Sequence, residues 1–327
     1  MMKTLFDTSR LGTMTLKNRF IRAAVHETLP QGRLNEHIVA VYKKLAQGGV
    51  GTIITGFALV DAAEKAFPLL GMYEDSFLED HKRLVDLVHT YTAHIILQLV
   101  YVGSYVMGDP QGMTVLAPSA VENLNTHIMP QELSLEGIKH IQKQFAQAAR
   151  RAKQAGYDGV ELHAAHGFLL SQFMTPYYNR RTDAYGGSVQ NRARMTIETC
   201  QAVRYEVGDD FPLWIKINVR DGFAEGVRFD DVLYLCAQLS QTGIDAIEIS
   251  GPFTAFPNKA TSFFKKEAEK IAAEQDTPII LTGGNRDPKE MTEILNTTRI
   301  AYFGLARPLM KEPDVIRGFQ QEGIRYI

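Results

Sequence analysis

Apolar residues along this chain keep two alternating rhythms. Short β-branched runs, read as strands, fall at 20–24, 52–55, 94–99, 159–163, 213–218, 246–250, 279–282 and 300–303. Between them, apolar residues recur every three or four positions, the spacing of one helix face. Asn35 caps a helix whose stripe is Ile38, Val41, Tyr42 and Leu45, and Ser134 opens another through Ile138, Ile141 and Phe145 to Gly156. Ser188 starts a third, along Ala193, Ile197, Cys200, Val203 and Val207; Asp230 starts a fourth, along Val232, Leu235, Cys236 and Leu239. Asp287-Pro288-Lys289-Glu290 reads as a complete start signal, with an acceptor cap, a first-turn proline and a glutamate reaching back.

The helix-to-strand junction recurs. Gln154-Ala155-Gly156-Tyr157-Asp158-Gly159-Val160-Glu161-Leu162 is echoed by Gln241-Thr242-Gly243-Ile244-Asp245-Ala246-Ile247-Glu248-Ile249, and more loosely by residues 47–55. Strands alternating with helices, without a linker or a shift in composition, predict a single domain over residues 1–327, a (β/α)₈ TIM barrel. A doubly wound open sheet is the alternative. The alternating segment 11–16 is expected to form a hairpin that closes the barrel floor. Two long connections, 100–133 and 164–187, follow strands on the face where barrel enzymes place their sites.

Composition narrows the function. Apolar residues make up 45% and charged residues 22%, with a formal net charge of -2, which gives no footprint for nucleic acid or an anionic membrane. No apolar run is long enough to span a bilayer, and the N-terminus meets a charge too early for a signal peptide, so a cytoplasmic protein is expected. Cys200 and Cys236 each lie on a helix stripe and form no C-x-x-C pair, which excludes a cysteine-built zinc or iron–sulfur site.

The chemistry gathers at strand ends. Buried parallel strands should be apolar throughout, yet four successive ones end in Gln98, His163, Lys216 and Ser250. His163 and His166 read as a hydrogen-bonded pair, as a metal pair, or as two N–H donors aimed at an oxyanion; further carboxylate ligands for a metal are not evident. Lys216, between Ile215 and Ile217, needs an anion beside it, either Glu248 or a ligand. Thr282-Gly283-Gly284-Asn285-Arg286 and Gly304-Leu305-Ala306-Arg307-Pro308 follow the last two strands, where this fold grips phosphate. No G-x-G-x-x-G opens a helix, so no dinucleotide-binding domain is indicated.

Leu16-Lys17-Asn18-Arg19-Phe20, Gln98, His163-Ala164-Ala165-His166-Gly167, residues 179–192 with their R-x-T-D-x-Y-G-G-S-x-x-N-R pattern, and Ala306-Arg307-Pro308 together resemble the Old Yellow Enzyme family of NADH:flavin oxidoreductases. The resemblance runs from Leu5 to Pro313. It implies FMN held non-covalently at the C-terminal mouth of the barrel. Ala23, Ala24 and Val25 would line it after the first strand, Gly56 and Phe57 after the second. Gln98 would bind its pyrimidine edge, and Lys216 would face N1 and the C2 oxygen. Gly283, Gly284, Asn285, Ala306 and Arg307 would hold the phosphate, and His163 and His166 the substrate oxygen. NAD(P)H and a small electrophilic acceptor, such as an α,β-unsaturated carbonyl, would use the pocket in turn. A homo-oligomer is left open.

Three departures qualify the expectation. Phe168 stands where the family commonly has a proton-donating tyrosine, with Tyr101, Tyr105, Tyr177 and Tyr178 as substitutes. Lys216 stands where many members have arginine. The cysteine-rich segment and second flavoprotein domain of larger relatives are not expected. A flavin barrel with weak activity or with quinone or nitro acceptors is therefore one alternative, and a metal-assisted barrel hydrolase is another.

Overall fold

In the computed structural model, which describes residues 2–106, 108–110, 112–252 and 261–324, the eight apolar runs close into one parallel barrel. Its strands are β1 (Phe20–Arg22), β2 (Thr52–Leu59), β3 (His94–Val100), β4 (Gly159–Ala164), β5 (Leu213–Asn218), β6 (Ala246–Ser250), β7 (Ile279–Thr282) and β8 (Tyr302–Leu305). Each pairs in parallel with its neighbours, and the ring closes where Phe303 on β8 pairs with Phe20 and Thr52 on β2 pairs with Ile21. The open-sheet alternative is excluded. Helices α1 (Glu36–Gln47), α2 (Leu78–His89), α3 (Leu135–Gln154), α4 (Val189–Val207), α5 (Phe229–Leu239), α6 (Lys265–Glu274), α7 (Pro288–Thr297), α8 (Arg307–Lys311) and α9 (Val315–Ile324) follow the strands. Among the described residues, no helix is long and apolar enough to cross a membrane.

Local chemistry sets most boundaries. The side chains of Asn35, Ser134 and Ser188 accept the N–H groups of Ile38, Gly137 and Asn191. One expected start and one expected cap contact differ. Helix α5 begins one residue before Asp230, after Arg228; Asp230 and Asp231 lie in its first turn, where carboxylates favour the helix dipole, and Asp231 pairs with Arg192. Asp287 caps α7 as expected, but Glu290 does not reach back, and its Oε2 has no hydrogen-bond partner. Strand β8 begins two residues later than the apolar run, because Ile300 is drawn into a turn by Thr298 Oγ1.

The floor is sealed by the N-terminal hairpin. Ser9–Leu11 pairs antiparallel with Met14–Leu16, and Leu11, Met14 and Leu16 pack inside the barrel on Ile21, Ile54, Ile96, Trp214, Ala246, Ile280 and Tyr302. One inward step higher, two residues along each strand, this apolar layer gives way to Gln98, Lys216, Glu248 and Thr282, with Glu161 and His163 on β4. The barrel is therefore dry at the bottom and polar at the top.

An ionic clamp joins hairpin, α2 and the bases of β3 and β4. Asp158 accepts from Ile95 N (2.7 Å), His89 Nε2 (2.9 Å) and His94 Nδ1 (2.8 Å), while His94 Nε2 meets the Thr15 carbonyl at 2.9 Å. Both partners of His94 are acceptors, so its ring carries two protons. Burial alone would raise Asp158, but the two imidazoles and Ile95 N–H outweigh it and bring it to about 2. The hydrogen bonds to Asp158 raise both histidines, against the opposing effect of burial. The depressed carboxylate stabilises the fold above its ordinary 3.8 and fails as pH falls towards about 2. The raised histidines contribute fully below their ordinary 6.5, and that contribution is lost as pH rises through their folded values. Asp158→Asn should lower Tm most between about pH 4 and 6.5 and progressively less above. Thermal melts across that range check this; an equal drop at every pH would overturn the clamp.

Candidate active site

At the mouth, Ala164 ends β4, and His166 (φ 59°) and Gly167 (φ 79°) turn the chain into the short helix Leu169–Met174. Two successive left-handed residues make this reversal, an uncommon conformation for a histidine. The turn sets the imidazoles 5.1 Å apart, edge to face. His163 Nδ1 accepts the Ala165 N–H at 3.3 Å, which places the ring proton on Nε2. That Nε2 is buried and has no hydrogen-bond partner among the described residues. His166 Nε2 lies 3.0 Å from Ser250 Oγ at the end of β6. Burial, helped by neighbouring positive charge, holds both rings neutral: His163 falls well below its ordinary value and His166 falls to about 3.

Beneath the histidines runs a chain of polar side chains. Gln98 Nε2 donates to Glu161 Oε1 at 2.5 Å, and Lys216 Nζ donates to Glu248 Oε1 at 2.8 Å. The anion beside Lys216 is thus Glu248, the internal alternative. Strand register makes these meetings: Gln98 pairs with Glu161, and Lys216 pairs with His163 on one side and Glu248 on the other. Among the described residues, Gln98 Oε1, His163 Nε2 and Thr282 Oγ1 are buried without hydrogen-bond partners. Orphaned polar atoms at such a density imply a polar ligand.

Ala23, Ala24 and Val25 follow β1, and the Ala23 N–H is tied to the Leu305 carbonyl (3.1 Å). Gly56 and Phe57 sit at a bulge in β2, where Tyr42 Oη accepts the Gly56 N–H at 2.8 Å. Tyr42 belongs to a buried network the sequence did not suggest: it donates to Glu27, which pairs with Arg22 at 2.7 Å, and Arg22 donates to the Ile54 carbonyl. This network fixes the ends of β1 and β2 against each other. A β-carbon on Gly56 would lie 2.6 Å from Glu27 Oε2. The Phe57 ring packs on His163 (5.0 Å) and on Phe168 (5.4 Å).

Beyond β7 and β8 lies a cavity of about 340 Å³ lined by Gly283, Gly284, Asn285, Ala306 and Arg307, together with Arg286 and Lys311. Gly283 (φ 123°) and Gly284 (φ 82°) leave backbone N–H groups bare of side chains. The Asn285 side chain is turned inward, donating to the Leu281 and Gly304 carbonyls at 2.6 and 3.0 Å. It ties the ends of β7 and β8 together. Arg286 closes the stretch read from the sequence as a phosphate grip, though without a role of its own, and Lys311, at the end of α8, had no sequence signal.

The specific stretch 179–192 lies outside the mouth and acts as a girdle. Arg181 donates to the Pro118 and Leu133 carbonyls (2.9 and 2.6 Å) and pairs with Asp183 (2.6 Å). Asn179 binds the Phe173 and Tyr185 carbonyls, and Arg192 binds those of Met174 and Gly187. The substitute tyrosines separate clearly. Tyr101 is buried in the outer core, Tyr177 donates to the Glu122 carbonyl, and Tyr178 accepts from Leu124 N–H. Tyr105 packs on the Phe168 ring, 5.6 Å between centres.

A ligand that meets both the orphaned atoms and the glycine cradle needs a flat hydrogen-bonding ring at one end and a phosphate at the other. These demands define a flavin-binding barrel of the oxidoreductase class. The chain belongs to the NADH:flavin oxidoreductase / NADH oxidase family, which matches residues 4–323. The family's cofactor is non-covalent FMN and its reductant NAD(P)H. The chain is 32% identical over 321 residues to a metal reductase of Desulforamulus reducens, covering 96% of this chain and 48% of that protein. It is 32% identical over 331 residues to an NADPH dehydrogenase of Bacillus velezensis, covering 97% of this chain and 94% of that protein. It therefore spans about half the length of the first relative and nearly all of the second. A solved old yellow enzyme homologue from Zymomonas mobilis shares the fold, with a TM-score of 0.84, 22% identity, and coverage of 98% of this chain and 93% of that one.

Proposed function

We propose that this chain is an FMN-dependent NAD(P)H oxidoreductase that reduces α,β-unsaturated carbonyls and related small electrophiles. The observation that carries this reading is the buried, unpartnered Nε2–H of His163 at the rim of the polar layer. The residues fit the cofactor: Gln98 and the Lys216–Glu248 pair offer groups to a pyrimidine edge, and Gly283, Gly284, Asn285, Ala306 and Arg307 cradle a phosphate. Bound there, FMN supplies the hydride, replenished by NAD(P)H. His163 and His166 would orient the acceptor's carbonyl oxygen and stabilise the charge that develops on it, the established use of fixed N–H donors. Ala23, Ala24, Val25, Gly56 and Phe57 would form the wall that keeps water from the reacting face.

Phe168 favours a second reading within the same class. Its ring has no proton to give, and three of the four substitute tyrosines are engaged or buried elsewhere. Quinones and nitro compounds, which take protons on oxygen from solvent, then become the better acceptors. One experiment separates the readings. The FMN-loaded protein, reduced anaerobically with NADPH or NADH, should regain its yellow colour on adding an enone, and steady-state double-reciprocal lines should be parallel. Faster recovery with quinones than with cyclic enones selects the second reading. Failure of the protein to take up FMN, or intersecting lines, overturns the shared pocket.

A further inference from the structure

The layer beneath the histidines contains one ammonium and two carboxyl groups, all fully enclosed: Lys216, Glu161 and Glu248. Facing the pair are Gln98 from β3, His163 from β4 itself with neutral His166 above it, Lys216 from β5 and Thr282 from β7. Gln98 satisfies Glu161 Oε1 and Lys216 satisfies Glu248 Oε1. The second oxygen of each, Glu161 Oε2 and Glu248 Oε2, is buried with no hydrogen-bond partner among the described residues. One ammonium matches one carboxylate, and a second bare carboxylate sealed into the same layer would stand uncompensated, so one of the two carries a proton. Burial and the neighbouring Glu248 push Glu161 well above the ordinary carboxylate range. Although burial opposes it, Lys216 keeps Glu248 ionised.

We propose that Glu161 and Glu248 hold a single proton between them, and that this proton keeps the layer under the cofactor electrically neutral. On this account the pair, rather than Lys216 alone, sets the charge that meets the pyrimidine edge of FMN; this second half rests on the function proposed above. The expected role of Lys216, a free positive charge facing N1, is changed accordingly. Its charge is already matched, and the proton on Glu161 prevents a second carboxylate from reversing the balance. Either carboxyl can serve as the partner of Lys216 if the other is removed. The site is thus buffered against loss of either one.

Infrared difference spectra of the parent protein against E161Q and against E248Q test the shared proton. Removing either carboxyl leaves the other to ionise against Lys216, so the carbonyl stretch of a protonated carboxylic acid should disappear in both comparisons. Glu64, a distant buried acid raised to about 8, cancels in each difference. The spectra should show the same losses with and without FMN, so their outcome is independent of the cofactor reading. Loss of the band in only one variant, or in neither, overturns the shared proton. In the FMN-loaded protein, both single variants should keep a midpoint potential close to the parent's. E161Q/E248Q, with Lys216 unmatched, should shift it positive, and K216M should shift it negative. A single variant that shifts the potential as far as the double one overturns the buffering.

Discussion

Phe168→Tyr should accelerate reoxidation of the reduced cofactor by a cyclic enone by roughly 10²–10⁴, the usual contribution of a positioned general acid. Alkene reduction needs a hydride on one carbon and a proton on the next. On the proposed reading His163 and His166 would polarise the acceptor for the hydride, while the proton half ends on a hydrocarbon ring. Phe168 packs 4.6 Å from His163, 5.4 Å from Phe57 and 5.6 Å from Tyr105, centre to centre, so a phenol there would stand beside the group proposed to hold the acceptor's oxygen. The added oxygen enlarges a closely packed ring by one atom, a tolerable change. Stopped-flow reoxidation with an enone and with a quinone, side by side, measures the effect. A rise confined to the enone identifies the missing proton as the limit; equal rates in parent and variant for both acceptors would show that Phe168 costs nothing.

His163→Ala should slow the same enone reaction by roughly 10²–10³, the loss seen when one oxyanion donor is removed from other enzymes. The effect should be close to constant across neutral and mildly acidic pH, because burial holds the imidazole neutral well below its ordinary titration range. A pH-dependent loss, growing as His163 would protonate, would mean instead that the imidazolium is the active form. His163→Asn, which retains an N–H donor of similar reach, should recover part of the rate. FMN content should stay at the parent's level in both variants if the partner of that donor is the acceptor, as proposed; a fall in FMN content would assign His163 to the cofactor instead.

The barrel was legible because parallel strands buried on both faces leave an unmistakable apolar signature, and because polar residues at four strand ends break it. Gln98, His163, Lys216 and Ser250 do converge, as that pattern required. What stayed hidden were long-range pairings. Nothing local in the sequence of β1 says that Arg22 will meet Glu27 and Tyr42, and nothing at Glu161 says that a second carboxyl will arrive from two strands away. Register decides those contacts, and register is a property of the closed sheet. Asn285 illustrates the same gap at smaller scale: its place in the turn after β7 was readable, while its side chain's inward use depends on carbonyls from two strands. The most distinctive motif, at 179–192, carried the family resemblance without showing what it does, and its arginines and Asn179 turn out to bind backbone carbonyls and carboxylates around the mouth.

That girdle has a consequence for how this enzyme could diversify. Arg181 grips Pro118 and Leu133, and Leu116–Ala117 pairs with Gln131–Glu132, so the connection after β3 is pinned at its stem. Its tip nevertheless reaches the mouth: Ile128 packs against the cluster that holds Phe57 and Phe168, and Leu124 and Glu122 meet Tyr178 and Tyr177. Substitutions in the two regions therefore share partners, and their effects should couple rather than add. Selection for a new acceptor has to alter tip and mouth together, on a stem that stays fixed.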